Sequence, residues 1–470
     1  MNKHSSEKNN YKKSNKLFKS ENSGDYKKKY LSTNDESETQ IQKSNSNTYI
    51  YGKNKKYRDK FKRIAYKWLH FFKVLGPGFI VMVADMDAGS VTTAAVSGAQ
   101  WGYKLVLMQI ILIPFLYLIQ SMTSRLGCVT RKGHGELIRE YYGSKWAAFS
   151  TILLFLTVFA ALLTEFSGIA ASGEIFNIPK IYSIGFSVLI LLIVVFRGSY
   201  KKAENIALIF ALSGFVFIPA AIFAHPDLHK LVFNGLLGSQ PIFNKNYAFL
   251  LAANAGAVIM PWMIYYQQSA TVDKNLCKND VKLAAADTLV GSIATQLLMI
   301  AVIVMTAATL YTHRIIPSSA KAIGQSLIPL AGKYAGLLFA IGLYSSSVLA
   351  AFVVSMAFAW AAGETWGFKH SLNNKFKEAK MFHILYMVLI VMAALIVLVP
   401  NIPLVTLMVD VEAFNGFVLP IVLVFLILLA GNKKILGEHT YSKAKLTIVT
   451  LVGLIMVVLG IITVLPQNWL

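Results

Sequence analysis

The sequence predicts an all-α, polytopic membrane protein: eleven transmembrane helices arranged as two inverted five-helix repeats, with broken helices 1 and 6, plus one extra helix. Three observations carry that prediction. Of the 470 residues, 55% are hydrophobic and only 14% are charged, and the mean hydropathy is +0.54, a balance that no soluble globular chain of this size needs. The apolar residues gather in runs that approach the roughly twenty residues a spanning helix requires. Two of these runs are interrupted at their centres, with five spans from one interruption to the next, so an odd repeat length gives the two halves opposite orientation. Ten-residue segments of alternating polarity, the mark of a membrane β-barrel, are absent.

The elements follow in order. Residues 1–60 are rich in Lys, Asn and Ser, with few apolar residues before Tyr49. Such a stretch cannot bury a core and is expected to be a disordered basic cytoplasmic tail, leaving 61–470 as the transmembrane domain. It is not a signal peptide, because no apolar core follows a short basic start. From Lys53 to Lys73, basic residues interleave with Tyr57, Phe61, Tyr66, Trp68, Phe71 and Phe72, a composition suited to lying on anionic inner-leaflet lipid. The predicted spans are 72–94, 101–123, 147–172, 182–196, 206–224, 247–270, 285–311, 334–362, 381–400, 405–430 and 446–465. The first five and the next five form the candidate repeats, and the eleventh lies outside them.

The net charge of +22 raises the possibility of a nucleic-acid partner, but its distribution argues against one. Of 45 Lys and Arg residues, 19 lie in the N-terminal segment up to Lys73, and only seven fall in outer loops: Lys104, Lys180, Lys230, Lys245, Arg314, Lys321 and Lys333. The positive-inside rule then puts the N-terminus in the cytoplasm and the C-terminus, Gln467 to Leu470, outside, in what is expected to be a plasma membrane. Cys128 and Cys277 fall at cytoplasmic ends of spans, where a disulfide is not expected. His134, His225, His229, His313, His370 and His439 sit in loops or span ends without ligand spacing and are read as structural, since a metal site needs more ligands than two. Glu204 follows Lys201 and Lys202 and is read as part of a cytoplasmic ion pair. The segment GAQWG (98–102) would suit close helix packing but falls in a predicted loop. No phosphate-cradling glycine motif, nucleophile elbow or zinc-protease motif appears, so nothing points to an enzyme.

The two interruptions carry the chemistry. The first, GPGFIVMVADMDAGS (76–90), puts Asp85 and Asp87 deep in an apolar run. A carboxylate at bilayer depth is costly and marks an ion or proton path. Gly89 permits non-helical backbone, and Ser90 offers a hydroxyl three residues after Asp87. The second, AGAVIMPWMIYYQQSA (255–270), puts Met260 and Pro261 mid-span. Proline cannot donate to the preceding turn, which frees a carbonyl near Ala257, and Met260 offers a thioether. Two such breaks facing each other would gather carboxylate, hydroxyl, carbonyl and thioether around one point, as in transporters whose substrate lies between discontinuous helices.

With GPGF, DMDAGS and GAQWGY in helices 1 and 2, LTEFSGIAASG at 163–173, RGSYKKAE at 197–204 and LFAIGLYSSSVLA at 338–350, the chain resembles the Nramp family of divalent metal transporters from about Gly76 to Pro420. The resemblance implies a fold of eleven spans and a site residue by residue. Asp87 matches the metal-binding Asp, Met260 the thioether ligand and Ala257 the carbonyl ligand. Glu165 matches a helix-3 Glu tied to the proton pathway, and Glu412 falls where the family has a helix-10 Gln that approaches the ion. The departures are as informative. Ser90 replaces the family's Asn ligand, Trp262 and Gln267 stand where it has His, Leu162 stands where it has a helix-3 Asp, and Asp85 is an added carboxylate. The missing titratable groups weaken the expectation of proton coupling. The segments DAG and PWM…YQQSA resemble the family's magnesium-handling branch more than its manganese and iron importers.

The donors leave the ion open. A soft thioether helps select Mn²⁺, Fe²⁺ and later metals. Asp85, Ser90 and Glu412 enrich the site in oxygen, which suits Mg²⁺ held through waters. The sequence thus predicts a divalent cation as substrate, no cofactor, and alternating access between the two membrane faces. An ion-coupled carrier of a small organic substrate such as an amino acid, or a membrane scaffold that moves nothing, are the competing readings.

Overall fold

The computed structural model describes residues 76–196, 200–317, 323–324, 333–400 and 402–464. The basic tail, the aromatic-basic patch and the last four residues lie outside that set, so the structure does not address them.

The described residues are helical, with no strand among them. Span 1 is two helices, α1 (Pro77–Ala84) and α2 (Ala88–Trp101). A 3-10 turn at Gly102–Leu105 leads into α3 (Val106–Thr130), and Gly102 takes a positive φ of 61° where α2 ends. Next come α4 (His134–Tyr142), α5 (Ser144–Ile175) and α6 (Lys180–Phe196). Span 5 is α7 (Tyr200–Ser213) and α8 (Phe217–Phe223), joined by a 3-10 turn. Span 6 is again divided, into α9 (Lys245–Val258) and α10 (Pro261–Asp273). The remaining elements are α11 (Val281–Thr306), α12 (Lys333–Trp366), α13 (Lys380–Leu398), α14 (Leu404–Ala430) and α15 (Lys443–Val464).

Nine helical stretches among the described residues are long and apolar enough to cross a membrane, and α6 falls just short. One of the nine runs from Ala88 to Thr130 and contains both α2 and α3. Separating those two at Gly102 and including α6 recovers the eleven segments expected.

The core is mostly apolar with a minority of buried polar side chains, and large apolar side chains also cover the outer faces of the helices. Leu451, Leu454, Ile455, Val458 and Ile461 of α15 are exposed, as are Tyr182, Phe186 and Leu189 of α6. Gln109, Asn254 and Ser97 are fully buried. They bond to one another: Gln109 Nε2 donates to Asn254 Oδ1 at 2.8 Å, and Asn254 Nδ2 donates to Ser97 Oγ at 2.7 Å. This bond set ties α2, α3 and α9 together on the α9 side of the breaks.

Two details depart from the sequence reading. The loop between spans 2 and 3 contains α4, a short amphipathic helix. Its Gly135 N–H donates to Glu364 Oε2 of α12 at 2.9 Å, capping a terminus that burial would otherwise leave bare. GAQWG is not a loop, because α2 continues to Trp101. Gly98 is a close-packing site after all: a Cβ there would lie 2.1 Å from Thr306 Oγ1 and 2.4 Å from the Ile303 carbonyl of α11.

The N-terminus of α1 is tied down from three sides. Asp287 of α11 accepts from Gly78 N at 2.8 Å and Phe79 N at 3.1 Å, pairing donors a helix start leaves orphaned. Glu204 of α7 pairs with Lys274 beside α10 at 2.6 Å, both largely buried. A Cβ on Gly76 would strike that pair, so the three elements close tightly around the start of span 1.

Candidate metal centre

The break in span 1 is built by Asp87. Helix α1 runs out at Ala84, and Asp85 N–H still reaches the Val81 carbonyl at 3.0 Å. Asp87 then adopts extended backbone (φ −83°, ψ −177°), and its Oδ1 accepts from Ser90 N at 2.7 Å. It is therefore the N-cap of α2, satisfying one orphan donor of the new helix. The positive end of the α2 dipole adds a field that favours negative charge here. Asp85, Asp87 and Ser90 are 1%, 0% and 0% exposed.

The break in span 6 is built by Pro261, the first residue of α10, with Met260 as its N-cap in extended conformation (φ −85°, ψ 144°). Helix α9 ends at Val258, so the Ala257 carbonyl is left without the intrahelical donor that Pro261 cannot supply. Ser90 Oγ donates to it at 3.1 Å. That one hydrogen bond joins the two interruptions directly and brings Asp87, Ser90 and Ala257 to a common point. Met260 belongs to the same break, but its sulfur is engaged. It accepts from Trp262 Nε1 at 2.9 Å.

Two more carboxylates arrive from other helices. Ala88 N–H donates to Glu165 Oε2 of α5 at 3.2 Å, so Glu165 also sits at the α2 N-terminus. Glu412 of α14 is completely buried, and Asn415 Nδ2 donates to its Oε2 at 3.3 Å. Glycines let it approach. A Cβ on Gly256 of α9 would lie 2.0 Å from the Glu412 carbonyl, so α14 can pack here only against a residue with no side chain. A Cβ on Gly89 would lie 1.9 Å from Glu412 Oε1. The glycine of the DAGS segment is thus required for the Glu412 carboxylate to rest on the first turn of α2. Asp85 stands in the field of both Asp87 and Glu412. Oδ1 of Asp85, Oδ2 of Asp87 and Oε1 of Glu412 receive no hydrogen bond among the described residues. Unpaired buried carboxylate oxygens are expensive, and a cation bound at Asp87 would offset part of that cost.

Gln267 lies away from this point. Its Nε2 donates to Thr288 Oγ1 of α11 at 2.7 Å, in a contact between helices. Among the described residues, no three His, Cys, Asp or Glu side chains form a metal-ligating group by themselves. Any ion held at the breaks would therefore take mixed donors: carboxylate, hydroxyl and carbonyl, with sulfur alongside. His134 is fully buried at the start of α4, with Nδ1 2.9 Å from Gln268 Oε1 and its ring edge-on to Tyr265. Burial pushes its pKa down to about 4, so it is a neutral packing residue.

Sequence reasoning missed Asn415, the Trp262 contact with sulfur, the Ser97–Asn254–Gln109 set and the Asp287 cap. Asn254 and Asp287 were visible as polar residues inside apolar runs. The partner of the Trp262 N–H was not visible, because it depends on how the break folds back.

The profile of the "Natural resistance-associated macrophage protein-like" (Nramp) family matches residues 78–466. A divalent metal cation transporter, MntH, of Caldanaerobacter subterraneus subsp. tengcongensis is 26% identical over 378 residues, spanning 78% of this chain and 87% of that protein. MntH of Latilactobacillus sakei is 30% identical over 218 residues, and there the match spans 46% of this chain and about half, 48%, of the relative. Among solved structures, a manganese transporter of Eremococcus coleocola in complex with an aromatic bis-isothiourea substituted compound superposes with a TM-score of 0.67 at 20% identity. That superposition covers 84% of this chain and 87% of the other.

Proposed function

The chain belongs to the Nramp family, and from that premise we propose that it carries divalent metal cations, Mn²⁺ and Fe²⁺ or Mg²⁺, across a membrane by alternating access. The metal is cargo and not a cofactor. Asp87 is its principal ligand, Ser90 Oγ and the Ala257 carbonyl add oxygens, and Met260 borders the site. Asp85, Glu165 and Glu412 supply the surrounding negative charge, and Gln267 serves helix contact. The N-terminus lies inside, and the basic tail rests on anionic lipid of the inner leaflet.

The observation that carries this reading is the Ser90 to Ala257 hydrogen bond, 3.1 Å long, between two helix breaks fully enclosed in an apolar bundle. A pair of discontinuous helices meeting at mid-depth, with a carboxylate at the junction, has a physical use for an ion and none for packing. The Asp287 bonds to α1 and the Glu204–Lys274 pair packed against Gly76 lie at the end opposite the break. Release of these ties would let α1 swing and open the site to the inner face. Where Nramp members are expected to have titratable His, this chain has Trp262 and Gln267, so metal movement does not require a stoichiometric proton.

The test is uptake of Mn²⁺ and of Mg²⁺ by proteoliposomes, each competed by the other, with internal pH followed by a dye. Saturable uptake of at least one ion, without matching acidification, is expected. A well-folded protein that moves neither ion would overturn the assignment.

A further inference from the structure

The environment of Met260 bears on which divalent ions the site accepts. Thioether sulfur carries two lone pairs and is the soft donor of the set. It accepts from Trp262 Nε1 at 2.9 Å, while the Met263 backbone N–H goes to the Met260 carbonyl at 3.2 Å and Met263 Sδ accepts from Met260 N at 3.4 Å. Trp262 is 0% exposed and its indole stands edge-on to Tyr266 at 6.5 Å, so packing fixes the donor in place. The contrast with the oxygens is direct. The carboxylate oxygens Asp85 Oδ1, Asp87 Oδ2 and Glu412 Oε1 are buried and receive no donor, whereas the Met260 sulfur already accepts from the Trp262 indole.

We propose that Trp262 is a specificity-determining residue: its indole N–H withholds the Met260 sulfur from the ion, so the site presents oxygen and discriminates against soft cations such as Cd²⁺ in favour of hard ones such as Mn²⁺ and Mg²⁺. Trp262 acts through Met260 and does not itself touch the ion. The inference rests on the reading of the breaks as a divalent-cation site. It adds that the presence of a methionine does not make the site a soft one.

The experiment is a double-mutant cycle read as an ion ratio, the Cd²⁺ concentration that halves Mn²⁺ uptake into proteoliposomes divided by the Mn²⁺ KM. Trp262→Phe keeps the ring and removes the N–H. A competing hydrogen bond of ordinary strength is worth about 0.5–1.5 kcal/mol, so freeing the sulfur should lower the ratio about two- to tenfold. Met260→Ala should leave the ratio unchanged in the wild-type background and abolish the gain in the Trp262→Phe background. The proposal is overturned by an unchanged ratio in Trp262→Phe, or by a weakening of Cd²⁺ competition in Met260→Ala alone. The second readout needs no alteration of Trp262 and holds even where the Phe variant folds poorly. Mn²⁺ uptake by the unaltered protein stands apart as the test of the cation-site reading, so failure of that reading and failure of this one are distinguished.

Discussion

Replacing Asp87 by Asn separates the two roles of this side chain. One carboxylate oxygen caps α2 through Ser90 N at 2.7 Å, and the other receives no hydrogen bond. Asn caps a helix about as well as Asp, so the fold should survive, and the loss of one negative charge among four buried carboxylates relieves their mutual repulsion. The metal-free variant should therefore melt no lower than the wild type. Metal binding should suffer heavily: removing one partner of a buried charged pair costs about 2–5 kcal/mol, or about thirtyfold to several thousandfold in affinity. Saturating Mn²⁺ at about a hundred times the wild-type Kd should stabilise the wild type by about 2.7 kcal/mol and the variant by at most about 0.9 kcal/mol. Asp87→Ala adds loss of the cap, a further cost of about 0.5–2 kcal/mol to folding. Thermal melts with and without Mn²⁺, beside titration calorimetry, measure both terms. An Asn variant that binds and transports Mn²⁺ like the wild type would refute the reasoning.

Gly256→Ala should destabilise the fold by about 1–3 kcal/mol and reduce uptake, because the new Cβ would meet the Glu412 carbonyl, which as backbone cannot swing away; a melt indistinguishable from wild type would contradict the close packing of α9 on α14. Asp287→Ala strips the Gly78 and Phe79 N–H groups of their acceptor, at a cost of about 1–3 kcal/mol, and should speed hydrogen exchange at the start of α1, read by mass spectrometry. His134 is held neutral down to about pH 4 in the fold, whereas it protonates near pH 6.5 when unfolded. Its folded pKa is the lower of the two, so stability falls as pH drops through 6.5 and levels off below 4, a loss of about 3 kcal/mol at most. Melts of wild type and His134→Phe over that range should therefore converge toward low pH in the variant's favour.

The architecture was legible because each signal was strong and local. Span length follows from bilayer thickness, and both breaks were marked in the sequence, by two aspartates inside an apolar run and by Pro261 after Met260; Gly89, expected to allow non-helical backbone, lies instead in the first turn of α2, because Asp87 caps that helix. The donors that meet at the breaks were legible too, since Ser90 follows its cap residue by three positions and Pro261 frees a carbonyl at a fixed offset. What escaped the sequence are contacts between distant segments. Gly256 reads as an ordinary small residue until α14 is laid against it, and Gly98 reads as a loop residue until α2 is seen to run on to Trp101. Helix α4 was hidden because its stabilising partner, Glu364, lies 229 positions from Gly135. The sulfur of Met260 was read as an available ligand because nothing in the linear order tells that the indole two residues later folds back onto it.

The central claim is that one divalent ion sits where the two interrupted helices meet. Crystals of the full chain soaked in Mn²⁺, with data collected at the manganese absorption edge, test it most directly. The account predicts one buried anomalous peak within bonding distance, about 2–2.6 Å, of an Asp87 carboxylate oxygen, with Ser90 and the Ala257 carbonyl beside it. A peak elsewhere in the bundle, or no buried peak from a protein that transports Mn²⁺, would contradict it.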